Sequence, residues 1–379
     1  MRAAILSALA IPSTYDRISR LAKLGKALDV DNAEGMGSAI EEVVSSTAAI
    51  EIELLMGRWA EISPEAAFHS VMRWKLESKR KIGMNVVAYE WARLGSGVEG
   101  RTFIESLGQD RVKGFAVRGL VRGWAQSDDL SGLTDFVISS DKIGAREKLT
   151  EILVNSLIAT NGIDAVMAWV DSVEMDAGNG YKRTAYKRSL RQVANRNPRM
   201  AADWYESQKD EGYTRRSVLV IGGEWVEHDP EEGLAWILEQ PDDLSRRIAL
   251  QRWVSRWASY DSAGIEKWMK STDFGQEGLA DLPENYVATF LPAFAEQAAP
   301  WVDYIPDEDA RRAVVQAVAK AWNVMDFTGR SAFLAKHGET EELLKSLRIG
   351  RHSRNRKKNS PTKPVEVDEA GVENERGSS

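Results

Sequence analysis

The chain has 379 residues, 43% of them hydrophobic, and a formal net charge of −7, so it is long enough and apolar enough to bury a large core. It contains no cysteine and only four histidines, which excludes disulfides and thiol catalysis and argues strongly against a zinc site. The acidic balance argues against non-specific nucleic-acid binding by the body of the chain. Sustained β-type alternation is missing, which favours an all-α fold.

Residues 3–11 form a mildly apolar run that leads directly into a helical pattern. The run predicts a first capping helix, and a secretory signal is the alternative. No stretch reaches the roughly 18 uninterrupted apolar residues that cross a bilayer, so the sequence predicts no transmembrane segment. We therefore expect a cytoplasmic protein, or an exported one if a signal lies upstream of this sequence.

A repeated phrase then organises the chain: an anchor residue, usually large and apolar, followed four residues later by a residue that can cap a helix. The clear copies are Trp59 with Ser63, Trp124 with Asp128, Trp225 with Asp229, Trp257 with Asp261, and Trp322 with Asp326. The weaker copies are Ala27 with Asp31, Trp91 with Gly95, Leu157 with Asn161, and Val193 with Asn197. Successive anchors from 27 to 257 are 32 to 36 residues apart, and the step of 65 to Trp322 predicts a missing anchor near Phe290.

The caps predict where a second helix begins in each repeat. Ser, Asn and Asp accept a hydrogen bond from an unpaired amide at a helix N-terminus, and proline suits the first helical position. Proline follows the cap directly at Pro64, Pro198 and Pro230. Each repeat is therefore predicted to be helix A, a tight turn, helix B and a loop.

Helix B carries a large aromatic residue seven or eight positions after the cap, on the same face as the cap. These residues are Phe103, Phe136, Trp169, Trp204, Trp236, Trp268 and Phe333. A small residue such as Gly233 precedes the aromatic residue by three or four positions, which leaves room for a neighbouring helix. The placement predicts that nearly all 13 tryptophans are core wedges between repeats, with Trp74 and Trp253 as the exceptions.

A period of about 33 residues with two helices per repeat is typical of solenoid arrays. Over roughly residues 14–345 the chain resembles the tetratricopeptide and HEAT class of α-solenoids. The tetratricopeptide Trp begins helix A, whereas the Trp here ends it, so the resemblance implies an architecture and no functional residues. We predict an all-α domain over residues 1–347, a right-handed α-solenoid of about ten antiparallel helix pairs.

The helix predicted from Tyr181 is strongly basic and follows a loop that is three or four residues longer than in the other repeats. Its candidate binding residues are Lys182, Arg183, Lys187, Arg188 and Arg191. Because arginine favours bidentate contacts with oxyanions, the helix is a candidate patch for an acidic peptide or a phosphate. The alternative is a solvated helix whose cations pair with acidic neighbours.

A basic pair also recurs near the start of helix A, at Arg215-Arg216, Arg246-Arg247 and Arg311-Arg312. The recurrence predicts a structural ladder, in which one arginine of each pair reaches a cap Asp or a helix C-terminus in an adjoining repeat. The alternative is a basic stripe along one face that steers anionic partners.

After Leu347 the apolar pattern ends, and residues 348–379 form a basic and then an acidic segment. Such a segment buries too little apolar surface to offset its ordering entropy, so we predict a disordered tail. Its basic part could contact nucleic acid or anionic lipid.

Familiar catalytic motifs, phosphate loops and metal-ligand spacings are not found, so we predict no catalytic, cofactor-binding or metal-binding residues. The first functional hypothesis is a non-enzymatic scaffold that binds a protein or peptide on the concave face of the helical array. The second is an enzyme acting on nucleic acid or glycan through an Asp or Glu in that groove. The third is nucleic-acid or membrane association through the basic tail.

Overall fold

The computed structural model describes residues 1–43, 49–107, 113–140, 143–175, 180–241, 244–276, 278–291, 294–322 and 326–340. Regular structure in these ranges is entirely helical, without strands, which confirms the all-α prediction. The described residues fall into two compact units, one up to residue 249 and one from residue 250 onward. The predicted boundary at residue 347 and the predicted tail lie outside the described residues.

The helices that precede or cross the division are α1 (Arg2–Leu9), α2 (Thr14–Lys26), α3 (Ala33–Glu42), α4 (Ala49–Ile62), α5 (Pro64–Arg73), α6 (Glu77–Trp91), α7 (Gly97–Ser106), α8 (Lys113–Trp124), α9 (Leu130–Ile138), α10 (Ile143–Ser172), α11 (Tyr181–Arg196), α12 (Pro198–Gln208), α13 (Ser217–Trp225), α14 (Pro230–Glu239) and α15 (Leu244–Tyr260). The second compact unit continues with α16 (Ser262–Ser271), α17 (Leu282–Phe290), α18 (Ala295–Ala298), α19 (Glu308–Ala321) and α20 (Phe327–Lys336). A π-helical segment, Ala92–Ser96, joins α6 to α7, and a 3-10 segment, Ala299–Tyr304, follows α18.

The N-terminal apolar run forms α1, which packs on α2 and α3. Its Ile5, Ala8 and Leu9 side chains are buried against these two helices, so the run is part of the folded core.

The predicted turn between helix A and helix B recurs along the chain. Helix α13 ends at Trp225, and Asp229 then caps α14 by accepting a hydrogen bond from the Glu232 amide at 3.0 Å. The same side-chain cap is made by Asn197 on α12, Asp261 on α16 and Asp326 on α20. The anchor-and-cap phrase therefore predicted the start of helix B correctly in these repeats.

The cap prediction was wrong by one residue before α9. Asp129, and not Asp128, accepts the Gly132 amide at 2.8 Å. The indole N–H of Trp124 also donates to Asp129, at 3.2 Å. The turn after this anchor is one residue longer than in the other repeats, which moves the cap to the next aspartate.

Two other predicted caps lack a side-chain bond to their helix. Asn32, and not Asp31, occupies the cap position of α3, and Asp29 accepts the Asn32 amide at 2.9 Å. Ser63 holds the cap position of α5 without a side-chain hydrogen bond, so this helix start depends on the proline that follows.

The anchor and the helix B aromatic residue contact each other in repeat after repeat. Ring centroids are 5.2 to 5.9 Å apart for Trp91 with Phe103, Trp124 with Phe136, Trp225 with Trp236, Trp257 with Trp268, and Trp322 with Phe333. Aromatic pairs at this separation add stability beyond their buried area. Gly233 makes the predicted room, because a Cβ at this position would lie 2.9 Å from the Cβ of Trp225.

Trp74 and Trp253 were predicted as exceptions to the core, and that prediction was wrong. Their exposed fractions are 2% and 0%. Trp253 lies one helical turn before the anchor Trp257, so it shares the same core-facing stripe and packs against Trp268 at 5.3 Å. Trp74 packs over Gly83, where a Cβ would meet its indole at 3.0 Å.

Successive A helices also pack on one another in the first compact unit. The contacts run from α2 to α4, then to α6, α8, α10, α11 and α13. The approach of α6 to α8 is very close: a Cβ at Gly119 or Gly123 would lie 2.0 Å from the carbonyl oxygen of Asn85 or Tyr89 respectively. Only glycine permits this separation of the two backbones.

Asn161 was predicted to cap a second helix, and the break in α10 instead falls one residue later, at Gly162, whose φ is 84°. By length and composition its segment Gly144–Ser172 is the one described helix that could cross a membrane. Leu153 and Val166 of this segment are buried in the core of the first compact unit.

The irregular repeat lies where the anchor was predicted to be missing. Helix α17 ends at Phe290, and helix B is replaced by the four-residue α18 and the 3-10 segment. Tyr286 takes over the aromatic contact, with its ring 5.2 Å from that of Trp301.

Candidate functional site

The predicted basic helix is α11, and its five candidate residues divide into two sets. Lys182 donates to the backbone carbonyl of Asp171 at 3.1 Å, and Arg188 donates to the Glu147 carboxylate at 2.6 Å. Both partners belong to α10. Both cations therefore join α11 to α10. Arg188 does so by pairing with an acidic side chain, as the alternative described, whereas Lys182 binds a backbone carbonyl.

The other three candidates, Arg183, Lys187 and Arg191, form an exposed stripe on α11. They are four residues apart, so successive side chains are separated by about 6 Å along one helix face. Within the described parts of the chain neither Arg183 nor Lys187 makes an ion pair, and Arg191 lies 3.9 Å from the Glu224 carboxylate. The stripe is therefore only weakly neutralised.

The stripe borders a cavity of about 620 Å³ between α11 and the start of α13. We call this surface the basic groove, defined by the five cations in its lining: Arg183, Lys187, Arg191, Arg215 and Arg216. The described lining includes no acidic residue, and its apolar part includes Leu219 and Val220. A side cavity of about 70 Å³, which shares Lys187 and Arg191, brings in Glu151.

The buried side chains of Thr214 and Ser217 hold the backbone on either side of Arg215 and Arg216. The hydroxyl of Thr214 donates to the Glu211 carbonyl at 2.8 Å, and the Ser217 hydroxyl donates to the hydroxyl of Tyr186 at 3.2 Å. Thr214 and Ser217 are each only 2% exposed, whereas the two arginines between them are exposed. The backbone is thus held on both sides of the arginine pair.

The structural ladder predicted for the basic pairs is confirmed at two of the three. Arg246 donates to the Gln240 carbonyl at 3.2 Å, and Arg311 donates to the Ile305 carbonyl at 3.3 Å. Each acceptor ends the preceding helical segment, where a cation is favourable. Two other helix A starts make the same contact six residues back, from Arg17 to Ile11 and from Lys113 to Leu107.

Arg215 and Arg216 depart from this ladder, since neither makes such a contact among the described residues. The reason is their position: they precede the first residue of α13, whereas Arg246 and Arg311 lie inside their helices. Arg183 and Arg215 are 32 residues apart, which is one repeat step. Equivalent positions of successive repeats lie side by side in stacked arrays. The separation of 32 residues is therefore the sequence feature that could have predicted that Arg183 and Arg215 line one groove.

Cations dominate the electrostatics of the groove. Burial raises the pKa of Tyr186, so this hydroxyl stays neutral near pH 7 and does not offset the positive charge. A concave surface of one charge concentrates the field and attracts oppositely charged groups. Arginine guanidinium groups, which can donate two parallel hydrogen bonds, and a lysine ammonium bind carboxylate or phosphate oxygens well.

No protein-family model, curated protein or solved structure matches the chain. The function is therefore inferred from the chemistry of the basic groove.

Proposed function

We propose that this chain is a helical-repeat scaffold that binds an acidic segment of a partner protein in the basic groove. The supporting observation is the set of five exposed cations around one cavity whose described lining has no acid, on a chain of net charge −7. Complementary charge steers encounter and fixes the register of a bound segment.

The length of the stripe favours a polypeptide over a single small anion. From Arg183 to Arg191 the helix rises about 12 Å, and Arg215 and Arg216 extend the cations onto the next A helix. Acidic residues four apart on a helix, or two apart on an extended chain, recur every 6 to 7 Å or so. Either spacing matches the stripe.

The scaffold is proposed to be a right-handed α-solenoid of about ten antiparallel helix pairs, similar to tetratricopeptide and HEAT arrays, that binds on its concave face. The anchor-to-aromatic contacts support a repeated helix pair. The packing of α11 on α13 supports the side-by-side placement of equivalent positions.

The test is the affinity of the full chain for a fluorescein-labelled peptide of alternating glutamate and alanine, measured by fluorescence anisotropy. The groove variant is Arg183→Glu/Lys187→Glu/Arg216→Glu. Its matched control, Arg20→Glu/Lys23→Glu/Lys75→Glu, makes the same change in net charge at three exposed sites outside the groove lining.

We expect the groove variant to lose about tenfold more affinity than the control. Wild-type affinity should fall as salt rises, since exposed charges are screened. Equal losses in both variants would contradict the proposal. The wild type could instead bind a single-stranded oligonucleotide more tightly than the acidic peptide. If the groove variant abolished that binding, the basic groove would be a nucleic-acid site and not a site for an acidic protein segment.

A further inference from the structure

Two exposed apolar side chains share one face at the start of α15. Leu244 is 64% exposed and Ile248 is 40% exposed. They are four residues apart, so they lie one above the other on the helix surface. Single exposed apolar residues are ordinary, but two on one face form an apolar ledge that water solvates poorly.

The apolar ledge, defined by Leu244 and Ile248, adjoins the basic groove. The Ser245 hydroxyl donates to the backbone carbonyl of Arg215 at 3.4 Å, which places the first turn of α15 against the start of α13. Arg215 lines the groove, and the exposed Arg247 lies within the ledge sequence. The exposed ledge thus has one cation, Arg247, on its own helix and another, Arg215, at the start of the helix beside it.

We infer that the bound segment is amphipathic: its acidic residues enter the basic groove, and a large apolar residue packs on the ledge. This inference rests on the proposed function and specifies the partner. Surface charge mainly accelerates encounter, whereas packed apolar contacts that exclude water supply much of the affinity at interfaces. Leu219 and Val220 in the groove lining offer further apolar surface beside the cations.

The concavity favours a polypeptide over an anionic bilayer. A bilayer presents a broad surface, whereas these cations border a cavity of about 620 Å³ that a single chain segment can enter. An acidic segment with apolar residues can meet both the groove and the ledge.

The experiment compares two peptides of identical glutamate content. One carries leucines among the glutamates, and its matched partner carries serine at the leucine positions. Both are titrated against the wild-type chain, against Leu244→Ser/Ile248→Ser, and against the control Leu94→Ser/Val98→Ser. The control pair is also four residues apart and 51% and 58% exposed, and lies outside the groove lining.

We expect the wild type to bind the leucine peptide about tenfold more tightly than the serine peptide. The ledge variant should lose that preference, and the control should keep it. Equal affinity of the wild type for the two peptides would overturn the ledge inference and leave the proposed function standing.

Binding of neither peptide would overturn the proposed function and the ledge inference together. Tighter binding of phosphatidylserine-containing vesicles than of the leucine peptide, lost in the ledge variant, would assign the surface to a membrane. The wild-type comparison of the two peptides is informative even if a variant misfolds.

Discussion

Replacing Gly123 by alanine should separate α6 from α8. The added Cβ would lie 2.0 Å from the Tyr89 carbonyl oxygen. A carbon normally approaches a carbonyl oxygen to no less than about 3.3 Å, so one backbone must move by about 1.3 Å. Because the obstacle is backbone, a side-chain rotamer change cannot relieve it.

Overpacking of a core typically costs about 1–3 kcal/mol, and a backbone clash belongs at the upper end. Alanine recovers about 1 kcal/mol of helix propensity relative to glycine. The free energy of unfolding should therefore fall by about 2 kcal/mol. At about 2–4 °C per kcal/mol, the melting temperature should fall by about 4–8 °C.

The matched control is Gly114→Ala in the same helix. No atom lies within 4 Å of a Cβ built at Gly114, so this substitution should be neutral or should stabilise by up to about 1 kcal/mol. Urea and thermal unfolding followed by circular dichroism measure both variants. Equal stability changes for Gly123→Ala and Gly114→Ala would refute the close approach of α6 and α8.

Three further substitutions test the helix caps. Asp129→Ala should destabilise the chain by about 1 kcal/mol, whereas Asp128→Ala should have little effect, as judged from urea midpoints. The reverse order would restore Asp128 as the cap. The Gly329 amide and then the Trp322 indole lower the pKa of Asp326. Its charge therefore stabilises the fold above the ordinary carboxyl pKa of about 4, and the effect is lost as the pH falls through the lower folded value. Melting temperatures of wild type and Asp326→Asn should converge in acid, and a constant difference at all pH values would argue against this.

Local chemistry explains which parts of the fold were predictable from the sequence. Asp229 caps the helix directly after its own turn, and Trp225 contacts an aromatic residue in the same repeat, so neither feature depends on distant residues. The error at Asp128 is a one-residue change in turn length, which two adjacent aspartates conceal.

The candidate site depends on how repeats pack, and this limits what the sequence predicts. Lys182 and Arg188 resemble Arg183 and Lys187 in type, but α10 supplies partners only to the first two. Arg215 resembles the ladder arginines and differs only in preceding its helix. The close approach at Gly123 is also invisible along the chain, because glycine inside a helix indicates only a loss of helix propensity.

The most direct test of the central claim is zero-length carbodiimide crosslinking of the alternating glutamate and alanine peptide to the wild-type chain, followed by mass spectrometry. Carbodiimide activates a carboxylate, which then forms an amide with a lysine amine in contact with it, and Lys187 is the lysine of the described groove lining. We predict that Lys187 is the dominant crosslinked residue, ahead of other exposed lysines such as Lys23 and Lys75. Crosslinks spread evenly over the exposed lysines, or concentrated away from Lys187, would contradict the basic groove as the binding site.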